Sequence, residues 1–274
     1  MMKTLILSDI YKGTNNSIIP YALRWARNTG SRAEIFHIID QRETQGVYSP
    51  YSDSQSITSG VELHPETLNK EKVIVDNTLR KYMSRELSLL NHPLKLDFFI
   101  TIGNFEEELR KHLTKEDTLV LNCSNYDTYF DNYENLLSII KSLPCQVLCV
   151  PGKYEFKPPE KALYVLRNDD ERDTKKKQDM HNLLTNLQSY PKISSSYYAF
   201  NKEVEEKPAN TRDFEVFYTV APKNNGSGTK NIESLIQTLH IDLLVIEIES
   251  QIKNTEFKSL LNNNLPTLFT QNSL

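Results

Sequence analysis

The order of apolar periodicities predicts an α/β fold: two tandem five-stranded parallel α/β domains, doubly wound, the second one trimmed. Three observations carry this. Short β-rich apolar runs alternate with segments whose apolar residues recur every three to four positions. The series closes at Pro151, crosses a proline-bearing stretch and starts again at Lys161. Hydrophobic residues make up 38% of the 274 and charged residues 25%, enough apolar surface for a packed core. The expected organisation is a first domain over 1–151, a linker over 152–160 and a second domain over 161–274.

Each element of the first block has its own signal. Lys3 to Ser8 is a β-rich run that ends at Asp9. Ile18, Ile19, Ala22, Leu23 and Ala26 follow at helical spacing, and Gly30 stops that helix. Ala33 to Ile39 reads as a strand buried on both faces. Gln41 to Pro65 is a long polar loop, of the kind that tends to be functional or mobile in compact domains. Val75, Leu79, Tyr82, Met83 and Leu90 mark a long helix that ends near His92-Pro93. Leu96 to Ile102 is a third strand, stopped by Gly103. Phe105, Leu109 and Leu113 fall at i, i+4 and i+8 of a short helix. Thr118 to Asn122 is strand four. Leu136, Leu137, Ile140 and Leu143 line another helix, broken by Pro144, and Gln146 to Val150 is strand five. Strands separated by helices imply crossovers and a parallel sheet.

The second block repeats this with pieces missing. Lys161–Leu166 matches Lys3–Ser8 in kind, Asp242–Ile246 mirrors Asp117–Leu121, and Pro266–Phe269 mirrors Pro144–Leu148. Between them lie helix signals at Met180–Leu187, a strand from Ser195 to Phe200, a strand from Phe214 to Val220, a helix face at Ile232–Leu239 and a last helix at Phe257–Leu261. Only the polar segment Lys202–Arg212 stands where the first block has its long helix.

Charge and composition exclude several functions. Lys plus Arg number 32 and Asp plus Glu 36, a formal net charge of −4, against the basic face of a nucleic-acid binder. Lys175-Lys176-Lys177 is flanked by Asp173 and Asp179 and reads as a solvated helix face. Apolar runs such as Val147–Val150 fall far short of the roughly 20 residues a membrane-spanning helix needs. Met1–Asp9 has neither the long apolar region nor the cleavage site of a signal peptide, so a cytoplasmic location is expected. Three cysteines, Cys123, Cys145 and Cys149, fit reduced core thiols rather than a disulfide framework.

Particular pieces then resemble the universal stress protein family. They are the opening strand ending in Asp9, Pro20–Ala26 on the first helix, Ile35–Asp40 at strand two, Gly103 after strand three, and the close Leu143–Pro151. The second block is similar more weakly, through Ile241–Glu247 and Leu265–Phe269. The resemblance implies a tandem member, with the last strands, Val147–Val150 and Thr267–Thr270, pairing across an internal two-fold and the whole chain able to form a homodimer. It also implies an adenine-nucleotide site, in which the acid ending strand one and the backbone ending strand two hold the ribose and adenine. Asp9 and Ile39 or Asp40 stand at those positions. The family's glycine phosphate loop after strand four is replaced: Asn122 and Asn125 occupy its first two glycine positions, and Tyr133 and Glu134 fall near the later Gly-Ser. No glycine lies between Gly103 and Gly152, and the chain has 8 in all. Glycine lets backbone N–H groups approach phosphate; a Tyr and a Glu there oppose it. In the second block Arg167 or Asn168 replaces the acid, and Glu247, Glu249 and Ser250 crowd the glycine positions.

Other candidate residues carry ordinary readings. His37 lies inside an apolar strand and is expected to be buried and hydrogen-bonded. His112 and His240 end helices. Cys145 and Cys149 lack a second pair for zinc, and Cys123 is expected to be partly buried. Glu106-Glu107-Glu108 opens a helix, where acids suit the dipole. Asn224–Lys230 has the place of an anion-binding turn without P-loop spacing. Asp9 either binds a ribose hydroxyl or caps a loop. No catalytic constellation is present. The expected function is a non-catalytic cytoplasmic stress-response protein without tight ATP binding and without a cofactor, working through protein partners, self-association or another small ligand. The alternative is an ATP- or AMP-binding switch at Asp9, Ile39, Gly103, Asn122 and Asn125.

Overall fold

The computed structural model describes residues 2–8, 17–40, 65–90, 94–123, 133–152, 154–159, 161–166, 194–199, 214–216, 236–248, 254–262 and 264–271. In chain order the first half contains β1 (Lys3–Leu7), α1 (Ile19–Asn28), β2 (Arg32–Asp40), α2 (Pro65–Ser88), β3 (Leu96–Gly103), α3 (Phe105–His112), β4 (Thr118–Asn122), α4 (Tyr133–Ser142) and β5 (Gln146–Val150). The second half contains β6 (Lys161–Leu166), β7 (Ser194–Ala199), β8 (Phe214–Val216), β9 (Leu243–Ile248), α5 (Asn254–Leu261) and β10 (Thr267–Gln271). Residues 236–239 form a further helical turn. The expected loop at 41–64, the helix at 180–187 and the segments 202–212 and 224–230 lie outside the described residues.

Local chemistry sets the element ends. α1 starts with a proline in its first turn and stops where Gly30 takes φ +62°, a left-handed conformation that favours glycine. α3 is capped by Asn104, whose side-chain oxygen accepts from the N–H groups of Glu106 and Glu107. The short helical turn after residue 236 ends at His240, at φ +54°.

The ten strands form one sheet in the order β3-β2-β1-β4-β5-β10-β9-β6-β7-β8. Read outward from the middle, the two halves have the same order: β5-β4-β1-β2-β3 on one side, β10-β9-β6-β7-β8 on the other. Pairing is parallel within each half. β5 and β10 pair antiparallel, with Leu148 opposite Leu268, Val147 opposite Phe269 and Cys149 opposite Thr267. Val147–Val150 and Thr267–Thr270 thus meet across the middle of the sheet.

Both faces are buried, as a parallel sheet requires. On one face Leu5, Phe36, Leu119 and Val147 pack beneath α3 and α4, and the same cluster continues through Leu163, Leu244 and Phe269 to Phe257 of α5. On the other, Ile6, Ile35, Val120 and Leu148 lie under α1 and α2, and the cluster runs on to Ala162, Val245 and Leu268. Neither core stops at the β5–β10 seam. The segment 154–159 is strapped to the first half by its aromatics, with the Tyr154 and Phe156 rings 6.0 and 5.0 Å from Tyr21.

One side-chain device occurs in both halves. Asp117, just before β4, accepts from the Lys3 N–H at 3.2 Å and from the N–H and hydroxyl of Thr114, both at 2.8 Å. Asp242, just before β9, accepts from the Lys161 N–H at 3.1 Å. The two lysines act alike: Lys3 Nζ donates to the His112 carbonyl at 2.8 Å and Lys161 Nζ to the Leu239 carbonyl at 3.1 Å, each closing the end of the preceding helix. Asp117 is buried and Asp242 only partly so. Asp117→Ala removes three part-buried hydrogen bonds and is expected to destabilise by about 1–3 kcal/mol, with Asp242→Ala costing less. Paired thermal melts check the order; equal losses would refute it.

Candidate functional site

In an open α/β sheet a crevice forms where the strand order reverses direction, at the carboxyl ends of the strands. Here the chain steps from β1 to β2 to β3, then returns to place β4 on the other side of β1. The reversal lies between β1 and β4.

Register and the two-residue period place the side chains there. Ile6 pairs with Ile35 of β2 and Val120 of β4, all three in the core beneath α1 and α2. Two residues further along each strand, on that same face, come Ser8, His37 and Asn122. The three form a lateral row, Asn122 and Ser8 flanking the reversal and His37 on the next strand. Ser8 is anchored by its N–H, which donates to the Phe36 carbonyl at 2.9 Å. All three are buried, at 1%, 5% and 6% exposure for Ser8, His37 and Asn122. Burial pushes the His37 imidazole down to about 4, so the ring is neutral at neutral pH. The row is polar and uncharged.

The residues read from sequence fall around this row unequally. Asn122 is in it. Ile39 is buried one step beyond His37 on β2. Gly103 closes β3, at the sheet edge, paired with Asp40. A Cβ there would stand 2.9 Å from the Glu108 Cγ, so this glycine makes room for Glu108. Asp9 and Asn125 lie outside the described residues, as do Arg167, Asn168, Glu249 and Ser250. Ser8 and the lateral partnership of His37 were missed in the sequence. A serine in step with Thr4 and Ile6 was the available signal for the first; the second needed the register.

Acids open α3, which follows the edge strand β3. In parallel α/β units helix N-termini lie at the carboxyl edge, where their dipoles favour anions. Glu106, Glu107 and Glu108 fill the first turn of α3 and already answer that dipole. Glu108 accepts from Lys111 at 2.7 Å and from Thr101 at 3.1 Å, and the Lys111 hydrogen bond holds its carboxyl below the ordinary value. Tyr133 and Glu134 begin α4.

Burial keeps the three cysteines as neutral thiols. Cys123 and Cys145 are buried, with thiols pushed up to about 12, and Cys149 is pushed well up as well. His112 ends α3 with its ring against Phe36 and Phe99, at 4.8 and 4.0 Å, where burial lowers its basicity. Among the described residues no three His, Cys, Asp or Glu side chains converge on a metal position, and no helix is long and apolar enough to cross a membrane.

No family model and no curated protein matches the sequence. Solved structures do match in shape. A universal stress protein from Archaeoglobus fulgidus DSM 4304 superposes with a TM-score of 0.63 at 8% identity, over 98% of this chain and 96% of that one. A Pseudomonas aeruginosa UCBPP-PA14 structure assigned to the universal stress proteins gives a TM-score of 0.52 at 11% identity, over 98% and 92%. At such identities the likeness is one of fold, and the chain has the universal stress protein fold along nearly its whole length.

Proposed function

We propose that this chain is a non-catalytic, cytoplasmic stress-response protein of the universal stress type that has given up tight ATP binding and acts through protein partners or a different small ligand. One observation carries the reading. At the carboxyl ends of β1 and β4, where the strand order reverses, stand the neutral, buried Ser8 and Asn122, and the stretch from Gly103 to Gly152 offers no glycine to cradle a phosphate.

Titration calorimetry with ATP and AMP tests this, after chromatography for nucleotide carried through purification. The expected result is no saturable heat at millimolar ligand. A micromolar Kd, about −8 kcal/mol, would overturn it. The position of Asn122 beside the strand that leads to Asp9 favours a second reading, an adenylate switch at Asp9, Ile39, Gly103, Asn122 and Asn125. Under that reading Asp9→Ala abolishes the heat.

A further inference from the structure

The two faces of α2 are built differently. Its inward face, Val75, Leu79 and Met83, is buried against the sheet. On the opposite side, at spacings of three and four, stand Lys70, Val73, Ile74, Asn77, Lys81 and Arg85, every one exposed. Val73 and Ile74 are 59% and 61% exposed, the two largest values among the exposed large apolar side chains described. None of the three cations forms an ion pair with a described residue, whereas Arg80, on the flank of the same helix, is paired with Asp76 at 2.8 Å. On a chain of net charge −4, this stripe from Lys70 to Arg85 joins two exposed aliphatics to three cations and no carboxylate.

We propose that this face docks an acidic amphipathic segment of another protein, its aliphatic side chains on Val73 and Ile74 and its carboxylates on Lys70, Lys81 and Arg85. Charge complementarity selects this occupant. A second copy laid two-fold on the same face would bring like cations together, which costs energy at every contact. A lipid surface asks for a broad apolar face bearing large side chains, and this stripe has two aliphatics. The stripe runs about 22 Å along the helix, the length of a four-turn partner helix. The inference gives a chemistry to the partners in the proposed function and does not depend on the crevice between β1 and β4, so nucleotide titration and the test below fail independently.

The probe is a synthetic 18-residue helical peptide with leucines on one face and glutamates on the other, added to the full chain with labelled Ile and Val methyls. Its control has every glutamate replaced by lysine. The expected result is saturable shifts of the Val73 and Ile74 methyls with the acidic peptide only, weakening as salt rises. Ile74→Ser should weaken binding several-fold, and Lys70→Glu with Lys81→Glu and Arg85→Glu at least tenfold. All are exposed positions, so thermal melts should be unchanged; if the triple variant melts early, Lys81→Glu alone is read and should still weaken binding. No saturable shift at millimolar peptide overturns the proposal. So does an equal response to both peptides, binding to phosphatidylserine vesicles in place of the peptide, or sedimentation as a dimer that Ile74→Ser dissociates.

Discussion

Phe269→Ala is expected to lower the unfolding free energy by about 3–5 kcal/mol, the loss of a fully buried aromatic plus the cavity it leaves. Phe269 is 0% exposed, stands opposite Val147 across the β5–β10 seam and packs against Phe257 at a ring distance of 5.3 Å. The larger consequence concerns cooperativity. Both cores run through the seam without interruption, so the halves should unfold as one unit despite their size. The chain supplies its own probe: its single tryptophan, Trp25, is a buried residue of α1 in the first half, while Phe269 belongs to the second. In urea, the Phe269→Ala midpoint should fall equally by Trp25 fluorescence and by far-ultraviolet circular dichroism. If the dichroism midpoint drops and the tryptophan midpoint stays, the halves unfold separately and the seam does not couple them.

Acid should weaken the fold through His37. Its ordinary value is 6.5, and burial lowers it to about 4 in the folded chain. The unfolded state therefore takes the proton first. Stability from this site is complete above pH 6.5, declines as pH falls toward 4, and is flat below. The window of 2.5 units corresponds to about 3 kcal/mol, and about 2 of these should be gone by pH 5. His37→Leu keeps a buried side chain and removes the proton site. Comparing its unfolding free energy with that of the unaltered chain at pH 7.5 and pH 5 cancels the carboxylates, which titrate in both. The gap between the two proteins should change by about 2 kcal/mol in favour of the variant at the lower pH. Parallel pH profiles would mean that His37 reaches water or a partner that accepts its charge.

The elements were legible wherever a period was strong. Phe105, Leu109 and Leu113 announced α3, and the runs at Lys3, Thr118, Gln146 and Lys161 are strands with the expected bounds to within a residue. The paired lysines and aspartates, Lys3 with Asp117 and Lys161 with Asp242, were visible as matching letters; their shared hydrogen bonds explain the match. Less was legible where the cause was local and polar. Asn104 as the cap of α3 escaped notice beside the more conspicuous glutamates, although an Asn before an acidic first turn is a helix-start signal. The start of α2 at Pro65 was read as the end of a loop, because its first residues carry no apolar period. The site was legible only in part. Asn122 was marked by position after strand four, and its neighbours in space were not.

By itself the sequence determined which segments are strands and helices, since backbone preferences and the alternation of apolar residues are properties of short stretches of chain. It also predicted a shared plan for the two halves, since runs alike in kind recur in the same order. Only the tertiary structure decided what stands beside what. Ser8, His37 and Asn122 are far apart in the chain and become a row because parallel register aligns the ends of three strands. Gly103 is a packing glycine because Glu108 returns to within 2.9 Å of where its Cβ would be. Two five-stranded units become one ten-stranded sheet because β5 and β10 each leave an edge that the other pairs with, and an unpaired strand edge buried between two cores is too costly to persist.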